Sequence, residues 1–337
     1  MIEIFFLILS IFVINFFLNK KKLISNSTGQ FHQIYNQEHQ VPLSGGLFIL
    51  LYFYFHYEFF NMILIFYLSF FFILGVLADL NIIKSPSYRF LTQIILLLFF
   101  ISQLNISIYD VRIEWINFLL ENNYFNIFLV LFCFLVLING SNFIDGNNGL
   151  TLGYFLIIFL IVLNLVNKKI IFYEETFIFS FLVILTILLT LNLLNKLYLG
   201  DSGVYLLALF TGYILIDISS KNPDISPYFI ANILWYPSFE ILFSLIRKVK
   251  SKFSPLNPDT QHLHQLLFYY YLKKINLRKS YLNSLTGITI NIYNCAILYL
   301  ASTILSNTKF QIMLLIISLI FYLIIYFILM RYRKMVT

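Results

Sequence analysis

Long apolar runs alternate with short polar breaks along the whole chain. Eleven runs stand out, near residues 2–18, 42–58, 60–78, 90–105, 126–141, 150–167, 174–194, 203–218, 228–247, 284–305 and 310–330. A bilayer-spanning helix needs about 20 largely apolar residues, so most of these runs match a span and the breaks match short loops. The pattern therefore predicts an all-α polytopic membrane protein of about eleven transmembrane helices, folded as one domain over residues 1–337. The break at His56–Asn61 is weak, and the second and third segments are the least sharply divided. Met1–Leu18 has no basic leader and no small-residue cleavage site, so it reads as a retained helix. The longest polar stretch, 248–283, is expected to be a loop. There is no internal repeat and no low-complexity tail.

Composition narrows the class. The chain is 60% hydrophobic and only 11% charged, with a mean hydropathy of +0.86, whereas a soluble domain carries about 25% charge. No segment is long enough and polar enough to build a soluble core of its own. Cys133 and Cys295 sit in apolar runs and read as packing residues. The 39 Phe and 24 Tyr suit lipid-facing and interfacial positions. With eleven alternating spans, 17 of the 22 basic residues fall on one side, Lys84, Arg89, Lys248 and Lys273 among them. Arg112, Lys168, Lys169, Lys221 and Lys309 fall on the other. The basic side is then cytoplasmic, with the N-terminus outside and the C-terminus inside. The net charge of +7 follows from orientation and from anionic membrane lipids, and no nucleic-acid partner is needed to explain it.

Against this background the ionisable residues near span ends carry the chemistry, because a charge inside a membrane segment is costly and marks a functional site by default. Asp79 ends Gly75-Val76-Leu77-Ala78-Asp79-Leu80, with Lys84 and Arg89 just beyond. Asp145 lies in Asn139-Gly140-Ser141-Asn142-Phe143-Ile144-Asp145-Gly146-Asn147-Asn148-Gly149-Leu150. There the i, i+3, i+6 spacing of Asn139, Asn142 and Asp145 puts them on one helix face. Asp201 opens a span in Leu199-Gly200-Asp201-Ser202-Gly203, where it could equally be a helix cap. A helix N-terminus beside Gly200 is also an anion site. All three carboxylates map to the cytoplasmic ends of spans. Two such charges ~4 Å apart repel by about 4 kcal/mol at an effective dielectric of 20, so a shared site needs a cation or a protonated member. Hard oxygen ligands favour Mg²⁺, with Mn²⁺ as a substitute, completed by substrate phosphate. In 248–283, Asp259, His262 and His264 stand in Pro258-Asp259-Thr260-Gln261-His262-Leu263-His264-Gln265. Two histidines in a basic segment can donate to phosphate.

Taken in order, Pro42-Leu43-Ser44-Gly45-Gly46, the Asp79 block, Asn139–Leu150, Leu199–Gly203 and Pro258–Leu267 resemble the motifs of the polyprenyl-phosphate N-acetylhexosamine-1-phosphate transferases. This is glycosyltransferase family 4, which includes phospho-N-acetylmuramoyl-pentapeptide translocase. The resemblance implies a UDP-N-acetylhexosamine donor, a polyprenyl phosphate acceptor, Mg²⁺, and release of UMP at the cytoplasmic face of the bacterial inner membrane; it also leaves room for a homodimer. It implies catalytic roles for Asp79, Asp145, Asp201, His262 and His264, with the three aspartates as metal ligands. Asn139, Asn142, Asn148, Gly200 and Asp259 fall in its substrate-binding blocks, and Lys84 and Arg89 become candidates for the acceptor phosphate. Four positions depart from the family pattern: Ala78 replaces the first Asp of a pair, Asn148 an Asp, Thr260 an Arg and Gln265 a third histidine. Two other readings compete: a non-catalytic lipid-binding or assembly protein, and a transporter. A transporter would call for inverted repeats and midplane charges.

The basic asymmetry generates a topology prediction. In a cysteine-free background, a cysteine at Lys84 or Lys273 should react with an impermeant maleimide only after the membrane is opened. A cysteine at Glu174 should react in intact cells. The reverse pattern would overturn the orientation.

Overall fold

The structure is a computed structural model that describes residues 2–21, 41–250 and 260–336. Among the described residues fourteen α-helices form. They are α1 (Ile2–Lys21), α2 (Gly45–Phe55), α3 (Met62–Asp79), α4 (Pro86–Leu104), α5 (Glu114–Leu120), α6 (Asn123–Ile144) and α7 (Leu150–Asn167). Then come α8 (Glu175–Leu193), α9 (Gly200–Lys221), α10 (Pro227–Ile233), α11 (Trp235–Lys250), α12 (Leu263–Lys274), α13 (Lys279–Thr303) and α14 (Thr308–Val336). Polar residues in the breaks set the helix ends. The Asn61 side chain accepts from the Ile63 amide at 2.9 Å and so starts α3. Pro86 and Pro227 occupy the first turns of α4 and α10, where a missing N–H costs nothing.

Each of the eleven predicted spans coincides with a helix, the ninth with the α10–α11 pair. Among the described residues eight helices are long and apolar enough to cross a membrane, or nine if that pair counts as one span. Two corrections follow. α2 has 11 residues; at ~1.5 Å per residue it rises about 17 Å, short of roughly 30 Å of hydrocarbon. The stretch 248–283 is not simply a loop: α11 runs on to Lys250 and α12 forms inside it. Its Leu263, Leu266 and Phe268 are buried, which gives the segment an apolar face to pack. The predicted site residue Asp259 lies outside the described residues.

α9 is the centre of the bundle, with 78% of its apolar window buried, against 22% for α4 and 28% for α14. Lipid tails are as apolar as leucine, so helices in a membrane gain by close packing at small residues. A Cβ on Gly75 of α3 would lie 2.2 Å from Ser202 Cα, so α3 and α9 touch backbone to backbone there. The chain before α2 lies beside the entry to α9 in the same way. Leu43 bridges Tyr198 in parallel register, and the Gly45 amide donates to the Tyr198 carbonyl at 3.0 Å.

Helix direction alternates, so polar ends segregate. One end holds the C-termini of α3, α6, α8 and α11 and the N-termini of α4, α7, α9, α12 and α13. At the other, Arg112 donates to the Ser306, Pro223 and Asp224 carbonyls at 2.6, 3.1 and 3.1 Å and to Thr308 Oγ1 at 2.7 Å, tying three loops. Between them α10 and α11 bend by 75°. The carbonyl freed at Ile233 accepts from the Tyr154 hydroxyl at 2.7 Å. A broken helix at membrane depth requires such a partner.

The α3–α9 contact makes a stability prediction. Gly75→Val should lower stability in detergent by about 1–3 kcal/mol, the usual cost of overpacking, whereas Ile73→Val on the exposed face of α3 should change it little. An unchanged melting temperature for Gly75→Val would contradict the packing.

Candidate active site

The site begins where α3 ends and α9 starts. Gly200 has φ +73°, a backbone that L side chains rarely adopt, and a Cβ there would lie 2.7 Å from Asp79 Oδ2. That turn aims the first amides of α9 at Asp79. Asp79 Oδ1 accepts from the Asp201 N–H at 2.9 Å and Oδ2 from the Ser202 N–H at 3.2 Å. A carboxylate at a helix N-terminus satisfies orphan donors and meets the positive end of the helix dipole. Asp201, the next acid, pairs with Arg89 in the first turn of α4: Arg89 Nη1 donates to Oδ2 at 2.9 Å. One chain of contacts thus links α3, α9 and α4. Lys84, in the loop between α3 and α4, is exposed.

Asp145 caps the C-terminus of α6, with its amide donating to the Asn142 carbonyl at 3.4 Å. Burial pushes its carboxyl up to about 7; a Thr151 hydroxyl works against the rise and the Asp201 charge adds to it. The turn from Asp145 to Gly149 is held by a net of amides. Asn148 Nδ2 donates to Asn195 Oδ1 at 2.6 Å and the Gly149 N–H to Asn192 Oδ1 at 2.6 Å. Asn147 Nδ2 donates to Asn283 Oδ1, and Asn291 Nδ2 to the Gly149 carbonyl at 2.8 Å. Further back on α6, Asn139 donates to Gln93 Oε1 at 2.8 Å and to its own helix at Leu135. Asn139 and Asn148, both expected to bind substrate, spend these hydrogen bonds on helix packing. Asn142 is half-buried near Asp145.

The histidines arrive from α12. A Cβ on Gly146 would meet His264 Nε2 at 2.7 Å, so the His264 ring lies against the residue after Asp145. The His262 and His264 rings stack with centroids 5.6 Å apart, and Phe143 meets His262 edge-on at 5.2 Å. Gln265, which stands in place of a third histidine, accepts from the His262 N–H at 3.2 Å and so starts the helix that carries both rings. Beneath them runs a four-residue-spaced face of α11: Tyr236, Glu240, Ser244 and Lys248, all buried. Glu240 Oε2 faces His262 Nδ1 at 3.0 Å. The Lys248 ammonium lies 5.8 Å from the Phe143 ring centre, an ordinary cation–π distance.

In the sequence Glu240 is only an acid, and Lys248 only one of many bases, on the side expected to be cytoplasmic. Their spacing on α11, continued from Tyr236, is the signal that joins them to the histidines. The asparagines at 192, 195 and 283 leave no such signal, because they come from different helix ends.

Among the described residues no three His, Cys, Asp or Glu side chains are gathered closely enough to hold a metal ion by themselves. Both Asp79 oxygens face backbone amides, so the expected three-aspartate ligand set is not assembled. Asp145 and Asp201 remain as neighbouring hard oxygen donors. Two carboxylates fit Mg²⁺, which usually takes one or two protein carboxylates and completes its shell with water and substrate phosphate.

The fold and this end of the bundle define an all-α polytopic membrane protein built around a carboxylate site. Residues 61–219 match the model of glycosyl transferase family 4, which bears out the resemblance read from the motifs. Undecaprenyl-phosphate alpha-N-acetylglucosaminyl 1-phosphate transferase of Escherichia coli (strain K12) is 29% identical over 154 residues, 42% of this chain and 41% of that protein. The protein of the same name from Yersinia pestis is 28% identical over 155 residues, again 42% and 41%. The one from Thermotoga maritima is 25% identical over 197 residues, 58% of this chain and 57% of that protein. The chain thus spans about two-fifths to under three-fifths of these curated relatives.

The α9 entry gives the site prediction. Asp79→Ala should lower stability by about 1–3 kcal/mol, since it strands two partly buried amide donors. Asp79→Asn, which keeps one acceptor oxygen, should lose less. Equal melting temperatures for wild type and Asp79→Ala would remove the contact.

Proposed function

We propose that this chain transfers N-acetylhexosamine 1-phosphate from a UDP-linked donor to a polyprenyl phosphate at the cytoplasmic side of a bacterial inner membrane. The product is a polyprenyl diphosphate sugar that starts a cell-surface polysaccharide, and UMP leaves. The observation that carries the reading is spatial. Segments far apart in sequence bring Asp79, Asp145, Asp201, His262 and His264 to one end of the bundle beside Arg89 and Lys248. The relatives' names supply the substrate class.

In this reading an oxygen of the lipid phosphate attacks the sugar-bearing phosphorus of the donor. The new P–O bond forms as the anhydride bond breaks, and its electron pair leaves with UMP. Such transfers depend on positioning and charge neutralisation more than on covalent help from the protein. Asp145 and Asp201 would hold Mg²⁺, which when bound neutralises phosphate charge. Asp79 fixes the α9 entry and so places Asp201. Arg89 sets the Asp201 carboxylate and stands where an acceptor phosphate could reach it. His262, His264 and Lys248 offer donors to the diphosphate, where charge grows during bond breaking. Ala78 removes a second carboxylate, and the nucleophile does not need it. A phosphate monoester has a second pKa near about 6, so most acceptor is already a dianion at neutral pH. A non-catalytic lipid-binding or assembly role draws on Ala78 and Gln265 alone. Gln265 has another task here, in starting α12.

Purified protein incubated with UDP-N-acetylhexosamines, undecaprenyl phosphate and Mg²⁺ should form a lipid-extractable sugar product. Asp201→Asn should cut turnover at least about 100-fold, by loss of a charged metal ligand, with the melting temperature near wild type. Near-normal turnover in Asp201→Asn would reduce that residue to the ion-pair partner of Arg89. No product with any donor would favour the non-catalytic reading.

A further inference from the structure

Glu240 is buried to 1% exposure inside the bundle, and its two oxygens are engaged differently. Oε1 accepts from the Leu263 N–H at 3.2 Å and from the Tyr236 hydroxyl at 3.4 Å. Oε2 faces His262 Nδ1 at 3.0 Å. An ionised carboxylate only accepts hydrogen bonds, whereas a histidine nitrogen donates or accepts according to where its proton lies. The pair therefore requires the proton on Nδ1. The bond from Leu263, the first residue of α12, fixes where the helix starts, and the bond from His262 fixes how the preceding ring is turned. Neither task needs Glu240 to touch a substrate.

We propose that Glu240 is a positioning residue: it holds a proton on Nδ1 of His262 and locks that ring at the start of α12. The catalytic consequence rests on the transferase reading. With Nδ1 protonated against a buried carboxylate, His262 is held in place and any positive charge it gains during phosphoryl transfer is balanced by Glu240. A carboxylate behind a metal-ligating histidine orients the ring and sets its tautomer, and its loss costs about 10- to 100-fold in activity or affinity; the same orienting role sets the scale expected here.

Glu240→Gln separates this from a purely structural role. Glutamine offers one oxygen and one NH₂. The Leu263 N–H is a fixed donor and claims the oxygen, so the NH₂ is turned toward His262 Nδ1, which must give up its proton and accept. The ring stays in place while its tautomer flips. The experiment is ¹⁵N NMR of [¹⁵N]histidine-labelled protein in nanodiscs at neutral pH, with His262→Asn identifying the His262 signals. It is paired with kcat and donor KM for wild type and Glu240→Gln. The expected result is a protonated Nδ1 in wild type and an unprotonated Nδ1 in Glu240→Gln. The variant's kcat should fall about 10- to 100-fold, without a matching rise in donor KM. An unprotonated Nδ1 in the wild type overturns the proposal even if the variant fails to fold, and so does an unchanged kcat in a folded Glu240→Gln. A wild type with protonated Nδ1 but no transferase activity would sink the transferase reading and leave the Glu240–His262 assignment standing.

Discussion

The first amides of α9 point at the carboxylate that ends α3, and the rest of the site is arranged around that contact. Asp79 accepts from the Asp201 and Ser202 N–H groups at the point where Gly75 lets the two backbones meet. The contact is polar, but its position is set by packing. With a side chain at residue 75, α9 would have to move away and the amides would lose their acceptor. With any residue other than glycine at 200, the turn would be strained and the Asp79 carboxylate displaced. Sterics and electrostatics therefore require the same sequence pattern.

From this anchor the charges are distributed so that few carboxylates are left uncompensated. Asp79 is met by helix amides, Asp201 by Arg89, and Glu240 by His262 and the start of α12. Asp145 sits in the turn after α6, where burial first and then the Asp201 charge push its carboxyl up to about 7. A cation nearby would favour its ionised form. In the proposed reading a divalent ion arriving with a phosphate-bearing substrate would supply that charge.

Much of this was legible in the sequence, for a simple physical reason. Membrane helices are apolar, so Asp79, Asp145 and Asp201 stood out at span ends, and all eleven apolar runs became helices. What sequence could not give was the use of each polar group. Asn139 and Asn148 read as substrate-binding candidates, and their side-chain amides also tie helices together. Gln265 looks like a lost histidine but starts α12. Glu240 and Lys248 sit on a helix face that matters only once α12 has folded back against it. α12 itself was hidden because its run Leu263–Leu272 is shorter than a span and is followed by lysines, so it read as loop. α2 was overestimated because its apolar character continues through Tyr57–Phe59, which forms a 3-10 turn instead of another helical turn.

The central claim is that the group transferred is a sugar phosphate and not a bare sugar. The most direct test uses a UDP-N-acetylhexosamine labelled with ³²P at the phosphorus that carries the sugar, incubated with the purified chain, undecaprenyl phosphate and Mg²⁺. The account predicts ³²P in the lipid fraction, with unlabelled UMP released in equal amount. Release of labelled UDP with no ³²P in the lipid would contradict it.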